Sequence, residues 1–478
     1  MGDKQGTKKI LSAGIGYILG GVLIKGIAFI TTPIFSRLMS PEEFGAFNTY
    51  LSYESILAML IGFQFAASLK NAKIKYADTP EGLNTFFSNL IALMLIHSVA
   101  ALVFVNVFSS CLIHVTGISS TLLLNLLVIN CFGNSAMTVY NAFVSLNYQY
   151  KKYVAVSIFN AVANVTISLL LIFTVMNGDK STARILGYVI PYILISLYVI
   201  AVAFKKQKPC MRSINGYNRF AYSFCAPLIP NGFSEVMLTQ YSKLSVEKNC
   251  GQGTMGVYSL AYNVYSIVAT VKLGMDYIVG PFYFDKRSTG DFDELKKIFR
   301  VYSRFLALIS VLIMLFSPEI VRILGDKAYY DARLCAVPLI AVGYFSFLCY
   351  MLSQEEYYSQ MTYLVSCISI ATMALNIALC AYFVPRFESL GAAFSTLVSF
   401  AVMFLLHFAV IKFILKSKAF GWRDLFIDSA FVTVMSVVAI IISDRALIRI
   451  SAIIIVFSIT GLYVYKNFKK ITDLRKSK

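Results

Sequence analysis

A chain of 478 residues that is 58% hydrophobic and 14% charged, with a mean hydropathy of +0.71, holds more apolar side chain than the interior of a soluble globule accommodates. A soluble enzyme or soluble binding module is therefore excluded. The formal charge of +18 would suit nucleic acid, but in so apolar a chain basic residues first report orientation in a membrane and contact with anionic lipid.

Ile10 to Ser36 is one apolar run interrupted by Lys25 alone, and a spanning helix needs roughly 20 such residues. The run is too long for a secretory leader and lacks a small-residue cleavage site, so it is expected to stay in the mature chain. Arg37-Leu38-Met39-Ser40-Pro41-Glu42-Glu43-Phe44-Gly45 then reads as a tight turn closed by a capping box, with Ser40 at N-cap, Pro41 at N1 and Glu43 reaching back from N3. A second spanning helix returns at once, through Phe44 to Leu69, with Glu54 in its middle.

Further apolar runs near 83–108, 119–146, 153–175, 184–204, 219–243, 253–280, 301–320, 333–354, 361–384, 388–413, 424–442 and 450–466 bring the expectation to about fourteen spans. Connectors are short, except a basic one from Lys205 to Arg219 and an amphipathic one from Asp285 to Arg304. With a cytoplasmic N-terminus, about 29 of the 42 Lys and Arg residues fall on inside segments and about 11 on outside ones, so both termini are expected in the cytoplasm. Trp422, the lone tryptophan, stands beside a charge cluster, where an interfacial anchor belongs. The nine cysteines show no ligand spacing and read as small hydrophobes, and the three histidines are dispersed; neither a metal site nor a His-based triad is expected. No glycine-rich phosphate loop supports ATP-driven transport within the chain.

Gly45-Ala46-Phe47-Asn48-Thr49-Tyr50-Leu51-Ser52-Tyr53 resembles Gly256-Val257-Tyr258-Ser259-Leu260-Ala261-Tyr262-Asn263, 211 positions later. Each stretch opens the second helix of its half, and an even number of spans separates them, so the halves enter the membrane in the same sense as a parallel repeat. The expected fold is an all-α integral membrane protein. One six-helix lobe falls at 1–212 and a second at 213–414 around a central cavity, with two peripheral helices and a basic tail at 415–478.

Gly14, Gly16, Gly20, Gly21, Gly26 and Pro33 crowd the first span, and Pro227, Pro230 and Gly232 mark its counterpart, the seventh. Gly20, Gly21, Pro227 and Pro230 are candidate hinges, because proline removes a helix hydrogen bond and glycine lowers the cost of bending. For the glycines, close packing of helices through small residues is the alternative. The ionisable residues at membrane depth are Lys25, Glu54, Glu235, Lys272 and Asp276, with His97 and His407 as weaker members, and each is costly there unless paired or functional. Lys25 and Lys272 are candidates for holding a diphosphate, since lysine serves as a point-charge partner of phosphate. Glu54, Glu235 and Asp276 are candidates for gating, or for coupling to a proton or sodium gradient. Lys25 and Glu235, one residue from equivalence in the repeat, are expected to face each other. Local satisfaction or snorkelling is the alternative, above all for Asp276 near a span end.

The glycine-rich first span and the motif at 37–45 resemble the start of Wzx-type polysaccharide flippases of the multidrug/oligosaccharidyl-lipid/polysaccharide (MOP) superfamily. Tyr148-Gln149-Tyr150-Lys151-Lys152-Tyr153 is similar to a basic loop at the same place in that group. The resemblance of layout covers essentially the whole chain. It implies a flippase, not an enzyme, that moves an undecaprenyl-diphosphate-linked oligosaccharide unit to the outer leaflet of the bacterial plasma membrane by alternating access, for O-antigen, capsule or exopolysaccharide assembly. The implied partners are the lipid-linked oligosaccharide, membrane lipid, and a polysaccharide polymerase with its assembly proteins; no cofactor is implied. Lipid II flippases of the superfamily carry several arginines on spans one, two and eight, where this chain has Lys25, Glu54 and Lys272, and drug exporters often hold an aspartate on the first span. A lipid II flippase and an ion-coupled multidrug exporter are the alternatives within the superfamily. A membrane glycosyltransferase or polymerase is disfavoured, because the outer connectors are too short for a catalytic loop.

Overall fold

The computed structural model describes residues 26–27, 29–76, 80–210 and 216–476. Every regular element among them is helical, as hydrocarbon demands: with no water to bond, a segment must satisfy its own N–H and C=O groups. Helix α1 runs over 29–38. The turn read from the sequence follows it: the Ser40 N–H donates to Glu43 Oε2 at 2.8 Å and the Glu43 N–H to Ser40 Oγ at 3.3 Å, closing the capping box that starts α2 (Pro41–Gly62).

Next come α3 (Phe65–Lys75), α4 (Pro80–Val107), the short α5 (Ser109–Thr116), α6 (Thr121–Leu146), α7 (Tyr150–Thr174), α8 (Lys180–Lys206) and α9 (Tyr217–Cys225). A 3-10 turn over Ala226–Leu228 leads into α10 (Ile229–Thr289). The chain continues through α11 (Phe292–Leu315), α12 (Ser317–Leu324), α13 (Ala332–Tyr358), α14 (Thr362–Ala409), α15 (Trp422–Ile441) and α16 (Ala446–Lys476). Among the described residues, eleven helical stretches are long and apolar enough to cross a membrane. Two of them are divided by a non-helical residue, Gly251 in α10 (φ 85°, ψ 172°) and Glu388 in α14 (φ 50°, ψ −131°). Counting each divided stretch as two, the described residues agree with the expected all-α, multi-pass membrane fold of about fourteen spans. Its exposed side chains are apolar along whole helix faces, such as Val99, Val103, Phe104 and Val107 on α4, which identifies lipid as the solvent.

By internal contacts the chain divides into two compact units, Met1–Gln240 and Tyr241–Lys478. In the first, α6 is central, packed by α2, α3, α4 and α8, and buries Leu127, Val128, Cys131, Phe132 and Val139. In the second, α13 takes that place against α11, α14 and α15, with nearly all its residues from Cys335 to Glu356 buried. Helices α15 and α16 lie along α11. Ion pairs from Arg300 to Asp424 (2.7 Å), from Arg304 to Asp428 (3.2 Å) and from Arg449 to Glu319 hold them there, while Phe431, Val434, Ile454 and Phe457 stay exposed. Trp422 packs between Phe408 and Phe420.

The ninth span begins earlier than its apolar run suggests. Asp291 Oδ1 accepts from the Glu294 N–H at 3.2 Å and caps α11, so the amphipathic connector is helical and buries Leu295, Phe299 and Ser303 on one face. Each unit also holds a buried polar cluster where two helices cross closely. In the first unit Arg184 of α8 reaches Asn164 and Ser168 of α7, beside Gly187. In the second unit Asn376, Cys380, Thr396 and Ser399 form a cluster between the two halves of α14, joined by Ser242. There Asn376 Nδ2 donates to Ser399 Oγ at 3.2 Å, and Ser242 Oγ lies 2.7 Å from Thr396 Oγ1.

Candidate functional site

In the first unit the second span is not continuous. Helix α2 ends at Gly62, Phe63 (φ 46°) and Gln64 (φ 57°) are left-handed, and α3 restarts at Phe65. The sequence reads as an unbroken helix here, because the groups that permit the break come from elsewhere in the chain. Ser135 Oγ donates to Ala58 O at 3.2 Å, His97 Nδ1 to Ile61 O at 3.1 Å, and Cys225 Sγ to Gln64 O at 3.5 Å. His97 is completed by Tyr222 Oη, 2.8 Å from Nε2. Irregular backbone at this depth is tolerated only where protein or a cavity replaces lipid. Beside the break lies a cavity of about 190 Å³, lined by Met59, Gly62, Gln64, Asn134, Ser135 and Thr138.

Glu54 lies about two turns before the break and is buried, with Oε1 accepting from Asn134 Nδ2 at 2.5 Å. Because Asn134 also lines the cavity, the carboxyl is linked to it through one amide. Arg184 was not singled out by sequence, since the apolar run 184–204 starts on it. Helix α8 begins four residues earlier, at Lys180, and carries the guanidinium inward. It lies 3.8 Å from the centre of the Phe35 ring and 4.7 Å from that of Phe47, donates to Asn164 and, at 2.6 Å, to Ser168 Oγ, and has no carboxylate partner among the described residues. Glu235 is exposed, with Asn231 Nδ2 at 3.5 Å from Oε1. Pro227 falls within the 3-10 turn and Pro230 in the first turn of α10, so the helix leaves α geometry where a ring nitrogen has no hydrogen to give. Lys25, Gly20 and Gly21, and with them the expected meeting of Lys25 and Glu235, lie outside the described residues.

In the second unit, Phe63 counted 211 positions forward falls on Gly274, where α10 runs on unbroken. Lys272 and Asp276 bracket it, with Nζ 2.7 Å from Oδ2. Lys272 Nζ is also 5.4 Å from the centre of the Tyr350 ring, and Tyr350 Oη donates to the Asp276 carbonyl at 3.0 Å. Asp276 Oδ1 is buried with no hydrogen-bond partner, so the pair has an unused acceptor. Lys243 lies on the first arm of α10, 4.3 Å from the centre of the Tyr262 ring, and has no carboxylate partner among the described residues. Sequence reading ends the seventh span on this lysine; α10 carries the helix on to Gly251. Toward the end of α13, Glu355 binds Arg287 at 3.1 Å and Glu356 binds His407 Nδ1 at 2.8 Å, with both carboxylates buried. Neither glutamate was singled out by sequence, although His407 was.

Residues 11–275 match the family described as polysaccharide biosynthesis protein. The chain belongs to that family. The match takes in Glu54, Asn134, Arg184, Lys243 and Lys272 and stops one residue short of Asp276. No curated protein matches the sequence. Among solved structures, this family member is similar to the lipid II flippase MurJ in an inward closed conformation (TM-score 0.73, 16% identity, 96% of this chain and 99% of that one). It is similar also to an inward-facing multidrug resistance MATE family transporter of the MOP superfamily (TM-score 0.66, 14% identity, 82% and 95%). A third likeness is to a MOP superfamily transporter from Pyrococcus furiosus, described as having a binding pocket of reverse polarity (TM-score 0.59, 15% identity, 86% and 97%). At these identities the likeness is one of fold: this polysaccharide biosynthesis family member has the fold of MOP superfamily transporters.

Proposed function

We propose that the protein is a flippase that carries an undecaprenyl-diphosphate-linked oligosaccharide unit across the bacterial plasma membrane for surface polysaccharide assembly, with both termini in the cytoplasm. The family match supports the pathway class, and the observation that carries the substrate class is that each unit separately holds an embedded cation over an aromatic ring, Arg184 in the first and Lys243 in the second, with no carboxylate partner among the described residues. A diphosphate gains most from positive charge where the dielectric is low, whereas a cationic drug is repelled by it. Within the second unit Lys272 is a further cation, which a diphosphate takes over by competing with Asp276. Asp276 and Glu54 then serve as the groups that exchange a proton or sodium during the cycle. No bond of the substrate is made or broken; the work lies in shielding sugar from hydrocarbon while the polyprenyl tail stays in lipid.

The test is transport in proteoliposomes, with a lipid-diphosphate oligosaccharide, lipid II and a cationic drug compared side by side, with and without proton or sodium gradients. Arg184→Gln and Lys243→Gln are expected to slow the first substrate by tenfold or more. Movement of the drug with no lipid-linked substrate moved would overturn the proposal, and movement of lipid II alone would reassign the cargo.

A further inference from the structure

A second cavity in the first unit, about 210 Å³ in volume, lies where the end of α6, the start of α7 and the end of α8 meet at one membrane face. Its lining includes Tyr140, Phe143, Gln149, Lys152, Tyr198 and Lys205, with no carboxylate. Both lysines are exposed, and neither ammonium has a hydrogen bond or ion pair among the described residues. Two unneutralised cations on one concave rim attract an anion. The depth of the cavity says which kind. Tyr198 lies about two turns of α8 before Lys205, roughly 10 Å along the helix axis, and its hydroxyl meets that of Tyr140 at 3.2 Å. Below the rim, α8 exposes Leu194 and Leu197. The walls thus pass from cationic to hydroxyl-bearing to apolar, the order of a phospholipid from phosphate through glycerol to acyl chain. Free phosphate would use the rim alone.

We propose that this cavity binds an anionic phospholipid of the bilayer, its phosphate between Lys152 and Lys205, its glycerol region against Tyr198, whose hydroxyl the buried Tyr140 holds in place, and its chains along the exposed face of α8. Basic pockets between spans take anionic headgroups in this way. None of these residues is among those assigned to transport, so the proposal stands apart from the choice of cargo.

Native mass spectrometry of the full chain in detergent, titrated with phosphatidylglycerol or phosphatidylcholine, tests it. The Lys152→Ala/Lys205→Ala variant is expected to bind phosphatidylglycerol about 30-fold more weakly, equivalent to about 2 kcal/mol, with phosphatidylcholine binding unchanged. Lys416→Ala/Lys418→Ala, at exposed lysines of the second unit, should alter neither. An equal loss from both double variants, or no preference of the parent for phosphatidylglycerol, overturns the proposal. A measurement on the unmodified chain guards against misfolding. Lys152 and Lys205 should resist amine-directed labelling in phosphatidylglycerol vesicles and react in phosphatidylcholine vesicles; equal reactivity in both overturns the site. Protection by inorganic phosphate alone, as strong as that by phosphatidylglycerol, overturns the lipid assignment in favour of a free-anion site.

Discussion

Gly187 of α8 faces Ser168 of α7 so closely that a methyl group there would stand 2.5 Å from the Ser168 Cα and backbone nitrogen. Backbone cannot swing aside as a long side chain can. Gly187→Ala must therefore part the two spans by about 1 Å to restore ordinary van der Waals contact, an overpacking that costs about 1–3 kcal/mol. The same movement takes the 2.6 Å bond from Arg184 to Ser168 Oγ past the limit of about 3.2 Å at which such bonds weaken. A hydrogen bond to a charged group is worth about 1.5–3 kcal/mol, so an overall loss of about 2 kcal/mol or more is expected. Transport should fall with it, because the guanidinium loses what holds it over Phe35 and Phe47. Denaturant midpoints in micelles read the first effect and flipping of the lipid-linked sugar in proteoliposomes the second. Ser399 of the second unit already carries a side chain, so Ser399→Ala opens no clash; it loses the bond from Asn376 and its own bond to the Ser395 carbonyl and should cost about 1–2 kcal/mol. A Gly187→Ala variant with the parent's midpoint and full transport would refute the reasoning that tight approach of α7 and α8 positions Arg184.

The two helix breaks make opposite demands. Gly251→Ala meets no atom within 4 Å, but forces an L-residue to φ 85° and should destabilise by about 1–3 kcal/mol, whereas Glu388→Gly relieves strain of the same kind and should raise the denaturant midpoint. Ser40→Ala removes the acceptor of the Glu43 N–H and should cost about 1 kcal/mol, seen as faster hydrogen exchange over the first turn of α2. His407→Leu strands the buried Glu356 carboxylate and should cost about 3–5 kcal/mol, while adding Glu356→Met should recover most of the loss; a double variant no better than the single would show that the pair is not a unit.

Sequence by itself determined the membrane class, the approximate number of spans, and the capping box at Ser40 and Glu43. Each of these depends on a local sum or a short spacing: hydropathy adds up within one segment, a cap closes over three residues, and hydrocarbon leaves the backbone one solution. The half-sites were legible only in part. Glu54, Lys272 and Asp276 stood out because a charge inside an apolar run is visible as such, and the four-residue spacing of Lys272 and Asp276 brings them to one helix face. Arg184 and Lys243 were hidden because each sits at the edge of its apolar run, and only the packed helices show that α8 begins before the one and α10 continues past the other. Tertiary structure alone decided the break at Phe63 and Gln64. Whether a carbonyl inside a membrane can leave its helix depends on which distant donors reach it, here His97, Ser135 and Cys225, and no property of residues 41–75 specifies those partners.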